Sequence, residues 1–408
     1  MKRQQAGYIW KVGRSWFGRW RDDVIENGQV CRRQQSARLA DVCDRFRTKA
    51  DVRPLLVEKL RSLNEGKARP ESTLPVADFV EEFYFKFIEE NYKPSTVGGY
   101  KSLWRMYLSS RLKRIMLRDF RTVDAAQLLS DIHRATGLGR TTLKHIKSFL
   151  SGVFTFAKNQ GVLDGMNPIH EAMIPKKAAE SRETHATTPG EVLAFMDVLE
   201  KAGELKACAA VALMFFAGLR PGEARGARWE DLEDRRLLVR QSIWQTHTTS
   251  PKTKGSASPV PVVEPLASIL VSLRAADGNP SSGPILRGPS GKPLDLHNLA
   301  RRVVVPTLTR CAVCLKRQTD HKAESHAFSL DTSVPIWRGW YALRRGVATA
   351  VTALSTGSLA AKGLLRHSSV STTERHYIKD VPETTLEAMR RLEDLCGERD
   401  ATSGAKPS

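Results

Sequence analysis

The spacing of apolar residues predicts that much of this chain is helical. Four stretches between residues 76 and 161 repeat apolar side chains at intervals of three and four, the period of a helix that buries one face. The predicted helices run from Val76 to Glu90, Ser95 to Leu108, Val123 to Ala135, and Arg140 to Gly161. Asn167-Pro168 closes this helical domain, predicted over residues 75–175, and the polar stretch 176–188 is typical of a linker.

Two other segments carry strand patterns. Aromatic residues alternate with basic and small ones from Gly7 to Trp20, so short antiparallel strands are predicted there, followed by a helix from about Ser36 to Asn64. Further along, Leu237 to Trp244 alternates, a turn follows at 250–256, and a return strand is expected from Ser258 to Val263. The pattern therefore predicts a multidomain fold, mainly α with small β-sheets.

The third part of the chain, predicted as a domain over residues 187–395, begins with a helix capped by Thr188. A second helix is predicted from about Leu205 to Ala217, and Gly218 ends it so that Arg220 projects from the turn. Residues 1–70 form a separate small module with strands and a helix, and residues 396–408 are predicted to be a disordered tail.

The charge of the chain points to a polyanionic partner. The 408 residues carry a formal charge of +20, and residues 1–70 hold 17 basic against 8 acidic side chains, or +9. Such a surface attracts double-stranded DNA and makes binding fall with salt, although a merely basic soluble protein stays an alternative on charge alone.

Location follows from apolar runs and cysteines. The longest apolar run, Ala207 to Leu219, has 13 residues, too few to span a bilayer, and no apolar segment follows the basic start as in a secretory signal. A bacterial cytoplasmic, nucleoid-associated protein is expected, with its six cysteines reduced.

Four short motifs near the end of the chain carry candidate chemistry. They are Gly218-Leu-Arg-Pro-Gly-Glu223, Tyr341-Ala-Leu-Arg-Arg345, Leu365-Arg-His-Ser-Ser369 and Thr372-Thr-Glu-Arg-His-Tyr377. Two arginines can clamp the non-bridging oxygens of a phosphodiester through bidentate hydrogen bonds, and a tyrosine hydroxyl beside them can attack phosphorus. Each motif alone is weak evidence, but the ordered set favours DNA strand transfer.

In order and spacing these motifs resemble those of the tyrosine recombinases, the phage-integrase family. Arg220 with Glu223 matches the first arginine box, and Arg344 matches the second, with Tyr341 where histidine is usual. His367 lies in a box similar to the family's G-H-S box, and Tyr377 follows at the spacing of the nucleophile.

The resemblance implies a role for each matched residue. Tyr377 would attack the phosphorus and form a 3′-phosphotyrosine, while Arg220 and Arg344 stabilise the phosphoryl charge and His367 donates a hydrogen bond to it. Such chemistry requires no cofactor for catalysis. Tyr341 departs from the pattern: a phenol can donate a hydrogen bond to phosphate but is a poor general base at pH 7, so an orienting role is expected.

The family's hairpin lysine, which protonates the leaving 5′ oxygen, has two candidates in this sequence. Its position before the return strand favours Lys252, with Lys254 as the second candidate, and an ordinary solvated lysine is not excluded by spacing.

Fold, partners and function also follow from the resemblance. It implies an arm-binding module, a helical core-binding domain and an α+β catalytic domain. It also implies a homotetramer on DNA that integrates or excises a mobile element. Tyr341 leaves one alternative open, a catalytically impaired DNA-binding relative that acts as a regulator or accessory factor.

A candidate metal site lies outside these motifs. Cys311-Ala-Val-Cys314 is followed by His321 and His326, which together supply two thiolates and two imidazoles, the ligand set of a tetrahedral structural zinc site. A loop in which these residues occur by coincidence is the alternative.

Overall fold

The computed structural model describes residues 4–26, 28–65, 69–181, 183–250, 259–264, 266–322, 326–354 and 358–366. The chain forms two compact units, residues 1–182 and 183–408. Among the described helices, none has the length and apolar character that a membrane span requires. The five described cysteines are free thiols.

The first unit opens with an antiparallel sheet of three strands in the order β1-β2-β3. The strands are β1 (Tyr8–Val12), β2 (Ser15–Glu26) and β3 (Gln29–Asp41). A helix, α1 (Lys49–Asn64), packs on the sheet and buries Leu56 against Trp16 and Trp20 in a small separate core.

The predicted helix start at Ser36 is wrong, because Ser36 lies within β3. This strand pairs with β2 along its whole length, from Gln29 opposite Glu26 to Asp41 opposite Ser15. Apolar alternation is confined to Ala37 and Leu39 near its end, so backbone hydrogen bonds to β2 define most of it as a strand. The helix begins only at Lys49, where Thr48 and Asp51 form a capping box.

A helical bundle follows in the same unit and matches the predicted helices closely. Its helices are α2 (Val76–Phe79), α3 (Phe85–Asn91), α4 (Pro94–Leu103), α5 (Thr122–Thr136) and α6 (Arg140–Asn159). A π turn joins α2 to α3, and another extends α4 to Leu108. The bundle has its own core, in which α6 packs so tightly that a Cβ on Gly152 would lie 2.4 Å from the Tyr84 hydroxyl.

The second unit combines helices with small sheets. The helices are α7 (Pro189–Lys201), α8 (Leu205–Phe215), α9 (Pro221–Gly226), α10 (Leu266–Ala276), α11 (Leu296–Leu299), α12 (Val305–Leu308), α13 (Trp340–Leu354) and α14 (Ser358–Leu365). The predicted cap of α7 is present: Thr188 and Glu191 form a capping box. Every residue of α8 from Ala207 to Phe215 is buried, so this helix forms the centre of the core.

The sheets of this unit differ in part from the predicted hairpin. Their strands are β4 (Leu232–Glu233), β5 (Arg236–Leu237), β6 (Ser242–Trp244), β7 (His247–Thr249) and β8 (Val260–Pro261). The return strand β8 pairs with β5 as expected, but the stretch from Leu237 to Trp244 is not one strand. Instead β6 turns at Gln245, which has a φ of 51°, and pairs with β7.

Candidate active site

Arg220 lies at the junction between α8 and α9. Gly218 adopts a φ of 57°, a conformation that glycine accepts without strain, and turns the chain after α8. Arg220 then caps α9: its backbone N–H donates to Glu223 Oε2 at 3.0 Å, and its Nη1 donates to Glu223 Oε1 at 2.7 Å. The Glu223 side chain is only 1% exposed, whereas that of Arg220 is 21% exposed. Glu223 therefore holds Arg220 in position, while part of the Arg220 side chain is open to solvent.

Two glycines let α9 and the turn before it approach the segment around β6 closely. A Cβ on Gly222 would lie 2.5 Å from Ser242 Oγ, and one on Gly226 would lie 2.7 Å from the Gln241 carbonyl oxygen. Larger residues at either position would push α9 away from the segment at β6 and displace Arg220 with it.

Arg344 is fully buried in α13 and joins two of the motifs. Its guanidinium donates through Nη1 to the carbonyl of Gly218 and through Nη2 to the carbonyl of Leu365, at 2.7 Å for the latter. Gly218 belongs to the first arginine box, and Leu365 begins the histidine box. The second arginine therefore connects the first and third motifs through backbone carbonyls that sequence spacing could not reveal.

Tyr341 lies in the first turn of α13 and is 49% exposed. Its helix is held close to the segment that leads into α7, since a Cβ on Gly346 would lie 1.8 Å from the carbonyl oxygen of Thr187. The orienting role expected of Tyr341 stays a prediction.

Sequence reasoning missed one residue of this cluster, Arg366. Its side chain is 1% exposed, and its Nη2 donates to Glu223 Oε2 at 2.5 Å. Burial lowers the pKa of the Arg366 guanidinium, an effect that the charge of Glu223 opposes and that of Arg220 reinforces. The signal was present in the sequence: Arg366 precedes His367, where the family's G-H-S box has glycine.

The remaining predicted active-site residues lie outside the described part of the chain. They are Lys252, Lys254, His367 and Tyr377. The described geometry therefore brings together Arg220, Arg344, Glu223 and Arg366, and it ends one residue before His367.

The four candidate metal ligands form a cluster in the second unit. The ligand atoms of Cys311, Cys314, His321 and His326 all lie within 4.8 Å of one another. Cys311 Sγ is 3.3 Å from His326 Nε2, and the Nε2 atoms of His321 and His326 are 3.1 Å apart. Four residues from one short stretch, residues 311–326, thus present soft and borderline donors to one point, which fits a tetrahedral zinc site.

The surroundings of this cluster favour the metal-binding state of its buried thiol. Burial alone would raise the pKa of Cys311, but hydrogen bonds from the backbone around Cys314, Ser329 and Val313 and from the His326 ring lower it to about 5. A thiolate is the form of cysteine that binds metals.

Hydrogen bonds also fix the loop that carries these ligands. The Ala312 N–H donates to the Ser329 carbonyl at 2.7 Å, and Arg310 forms a 2.9 Å ion pair with Asp331. Arg317 also pairs with Glu204, just before α8. The loop is therefore attached to the core of the second unit on two sides.

Comparison with known proteins places this fold. No protein-family model matches the chain. A curated protein of Caldanaerobacter subterraneus subsp. tengcongensis, described as tyrosine recombinase XerC-like, is 23% identical over 390 residues, 91% of this chain and 93% of that protein.

Solved structures agree on the architecture. The Tn1549 transposon integrase in complex with transposon right end DNA matches with a TM-score of 0.60 at 17% identity, over 78% of this chain and 100% of that one. A lambda integrase tetramer bound to a Holliday junction matches with a TM-score of 0.51 at 19% identity, over 88% and 94%. The predicted fold class is confirmed.

In fold and in sequence the chain is therefore similar to proteins described as tyrosine recombinases and integrases.

Proposed function

We propose that this protein is a site-specific DNA recombinase that breaks and rejoins DNA through a 3′-phosphotyrosine, integrating or excising a mobile element. One observation supports the proposal most strongly. Arg344 joins the turn that carries Arg220 to the end of α14, so that both arginine boxes meet the segment leading directly into His367. The expected setting is the bacterial cytoplasm, associated with the nucleoid.

The proposed reaction needs positioning and charge stabilisation rather than a cofactor. The partly exposed guanidinium of Arg220 contacts the non-bridging oxygens of the scissile phosphate. Tyr377 gives its phenolic proton to solvent as its oxygen bonds to phosphorus, and the bond from phosphorus to the 5′ oxygen breaks. Lys252, or Lys254 in its place, protonates that oxygen, while His367 donates to the phosphoryl group and Tyr341 orients it. The phosphotyrosine conserves the bond energy, so a 5′-hydroxyl can reverse the step and reseal DNA.

The N-terminal sheet supports a second contact with DNA. On the face of the sheet opposite Trp16 and Trp20, Trp10 stacks on Phe17 at 5.6 Å between ring centroids. The Arg19 guanidinium lies 5.1 Å from the centroid of Tyr8 on the same face. Stacked rings, cations and the amide of Gln34 further along β3 suit contact with phosphates and base edges. Residues 1–70 thus act as an arm-type DNA-binding module, and the bundle over 75–175 as the core-binding domain.

The second candidate function is a catalytically impaired relative that binds DNA as a regulator, favoured only by Tyr341 in place of histidine. A suicide substrate, nicked close to the scissile phosphate so that the cleaved end diffuses away, separates the two. A recombinase accumulates a covalent protein–DNA adduct that survives denaturation. A regulator binds the same DNA and forms none.

We also propose that the Cys311, Cys314, His321 and His326 cluster binds a structural zinc ion. Purified protein should then contain about one zinc ion per chain, and the double variant Cys311→Ser/Cys314→Ser should lack it and melt at a lower temperature, since metal binding contributes to folding. Elemental analysis and thermal melts test this. Cys43→Ser, which alters an exposed thiol outside the cluster, is the control and should keep both metal and stability. Protein prepared without chelator that contains no metal would exclude the site.

The active assembly on DNA is proposed to be a homotetramer, because exchange between two duplexes requires one cleaving tyrosine for each of four strands. The apolar stripe of Leu386, Met389, Leu392 and Leu395, in residues outside the described part, is proposed to pack on a neighbouring subunit. Truncation after Val381 should therefore keep binding to a single site and abolish pairing of two sites. Native gels and sedimentation with DNA measure both. Truncation after Cys396, which leaves the stripe intact, should behave as the full chain. Full recombination by the protein truncated after Val381 would rule out this packing between subunits.

A further inference from the structure

Arg366 has features that stability alone does not explain. Its φ of 55° lies in the left-handed region, which residues with a Cβ seldom adopt. Its Nε and Nη1 atoms are buried and have no hydrogen-bond partner among the described residues. Buried donors without an acceptor are costly and rare in folded proteins. Two unfavourable features at one residue beside a proposed active site indicate a functional role.

The contacts of Arg366 connect it to both arginines of the site. Its guanidinium bonds to Glu223, the same carboxylate that holds Arg220 through its other oxygen. The carbonyl of the preceding residue, Leu365, accepts from Arg344. Two consecutive residues at the end of α14 therefore contact Arg344 directly and Arg220 through Glu223.

Positive side chains are concentrated in this cluster. Arg220 and Arg366 both bond to the Glu223 carboxylate, and Arg344 bonds to the residue before Arg366. Such a concentration of guanidinium groups suits an anionic ligand, and a phosphodiester is one.

We propose that Arg366 is a positioning residue of the strand-cleavage site. It holds Glu223 in place, and Glu223 in turn fixes the Arg220 guanidinium that clamps the scissile phosphate. The inference rests on the proposed recombinase function. Loss of Arg366 should affect the rate of cleavage more than the affinity for DNA, because many other basic residues bind the DNA backbone.

Arg366→Gly is the informative variant. Glycine accepts the left-handed backbone at this position, so the substitution removes the guanidinium and keeps the turn. At saturating DNA, cleavage of the suicide substrate should slow on the order of 100-fold, as expected when a reacting group is misplaced by about 1 Å. The dissociation constant for the same DNA should change by less than about threefold. Arg366→Met, which keeps most of the side-chain volume, carries the same expectations if the glycine variant does not fold.

A double-mutant cycle with Glu223→Gln tests the route of the effect. If Arg366 acts through Glu223, the variant that carries both substitutions should cleave no more slowly than Glu223→Gln alone. Cleavage by Arg366→Gly at the wild-type rate, or effects of the two substitutions that multiply, would overturn the proposal. Failure of the wild-type protein to form any adduct would instead contradict the recombinase function itself.

Discussion

Tyr377→Phe is expected to abolish covalent attachment to DNA, lowering the yield of adduct by a factor on the order of 10⁴ or more. The substitution removes one hydroxyl, the proposed nucleophile, and phenylalanine can occupy the same volume. DNA affinity should not change, because binding depends on the basic surface and not on this oxygen. The measurement is adduct formation on the suicide substrate, resolved under denaturing conditions, beside a binding assay with the same DNA.

Tyr341→Phe is the matched control, since it removes a phenolic hydroxyl from the other tyrosine of the motifs. With an orienting role for Tyr341, this variant should cleave more slowly but still form the adduct. An undiminished adduct from Tyr377→Phe would disprove the assignment of the nucleophile.

Arg220→Ala should lower the cleavage rate by about 10² to 10³, the usual effect of removing one donor that stabilises a developing oxyanion. The Arg220 side chain is more exposed than that of Arg344, so the fold should remain intact and DNA affinity should fall little. Single-turnover cleavage and a binding isotherm separate the two effects. Equal losses of rate and affinity would mean that Arg220 serves docking.

Arg344→Ala should behave differently because Arg344 is buried. It too should slow cleavage far more than it weakens binding, but it should also lower the melting temperature. The substitution leaves the carbonyls of Gly218 and Leu365 without their donor, at about 1 to 3 kcal/mol for each unsatisfied group. Arg345→Ala is the control: this neighbour donates to the His185 carbonyl from an exposed position and should retain near wild-type cleavage.

Periodicity predicted the helices of this protein well where one face is buried. The bundle from α2 to α6 follows the predicted bounds within about two residues, because each helix places an apolar stripe in one core. The same reasoning failed at β3, whose mostly polar sequence alternates only at Ala37 and Leu39 and whose conformation depends on pairing with β2. A local pattern reveals which residues are buried, whereas a strand at the edge of a sheet is defined by its pairing with another strand.

The candidate site, too, could be predicted from the sequence only in part. Arg220 and Arg344 were found from motifs, since those residue types are required by phosphate chemistry. The bond from Arg344 to Gly218 joins residues 126 positions apart and has no signature in sequence. Arg366 lies within the third motif, but the motif implies no role for it, because only the structure shows its guanidinium beside Glu223.

The most direct test of the central claim is to identify the residue that carries the DNA. Wild-type protein trapped on the nicked suicide substrate can be digested with protease and nuclease, and the nucleotide-bearing peptide can be sequenced by mass spectrometry. The proposed function predicts a single adduct through a 3′-phosphate on Tyr377. Absence of any adduct from protein that binds the DNA, or a phosphate on Tyr341 or another residue, would contradict it.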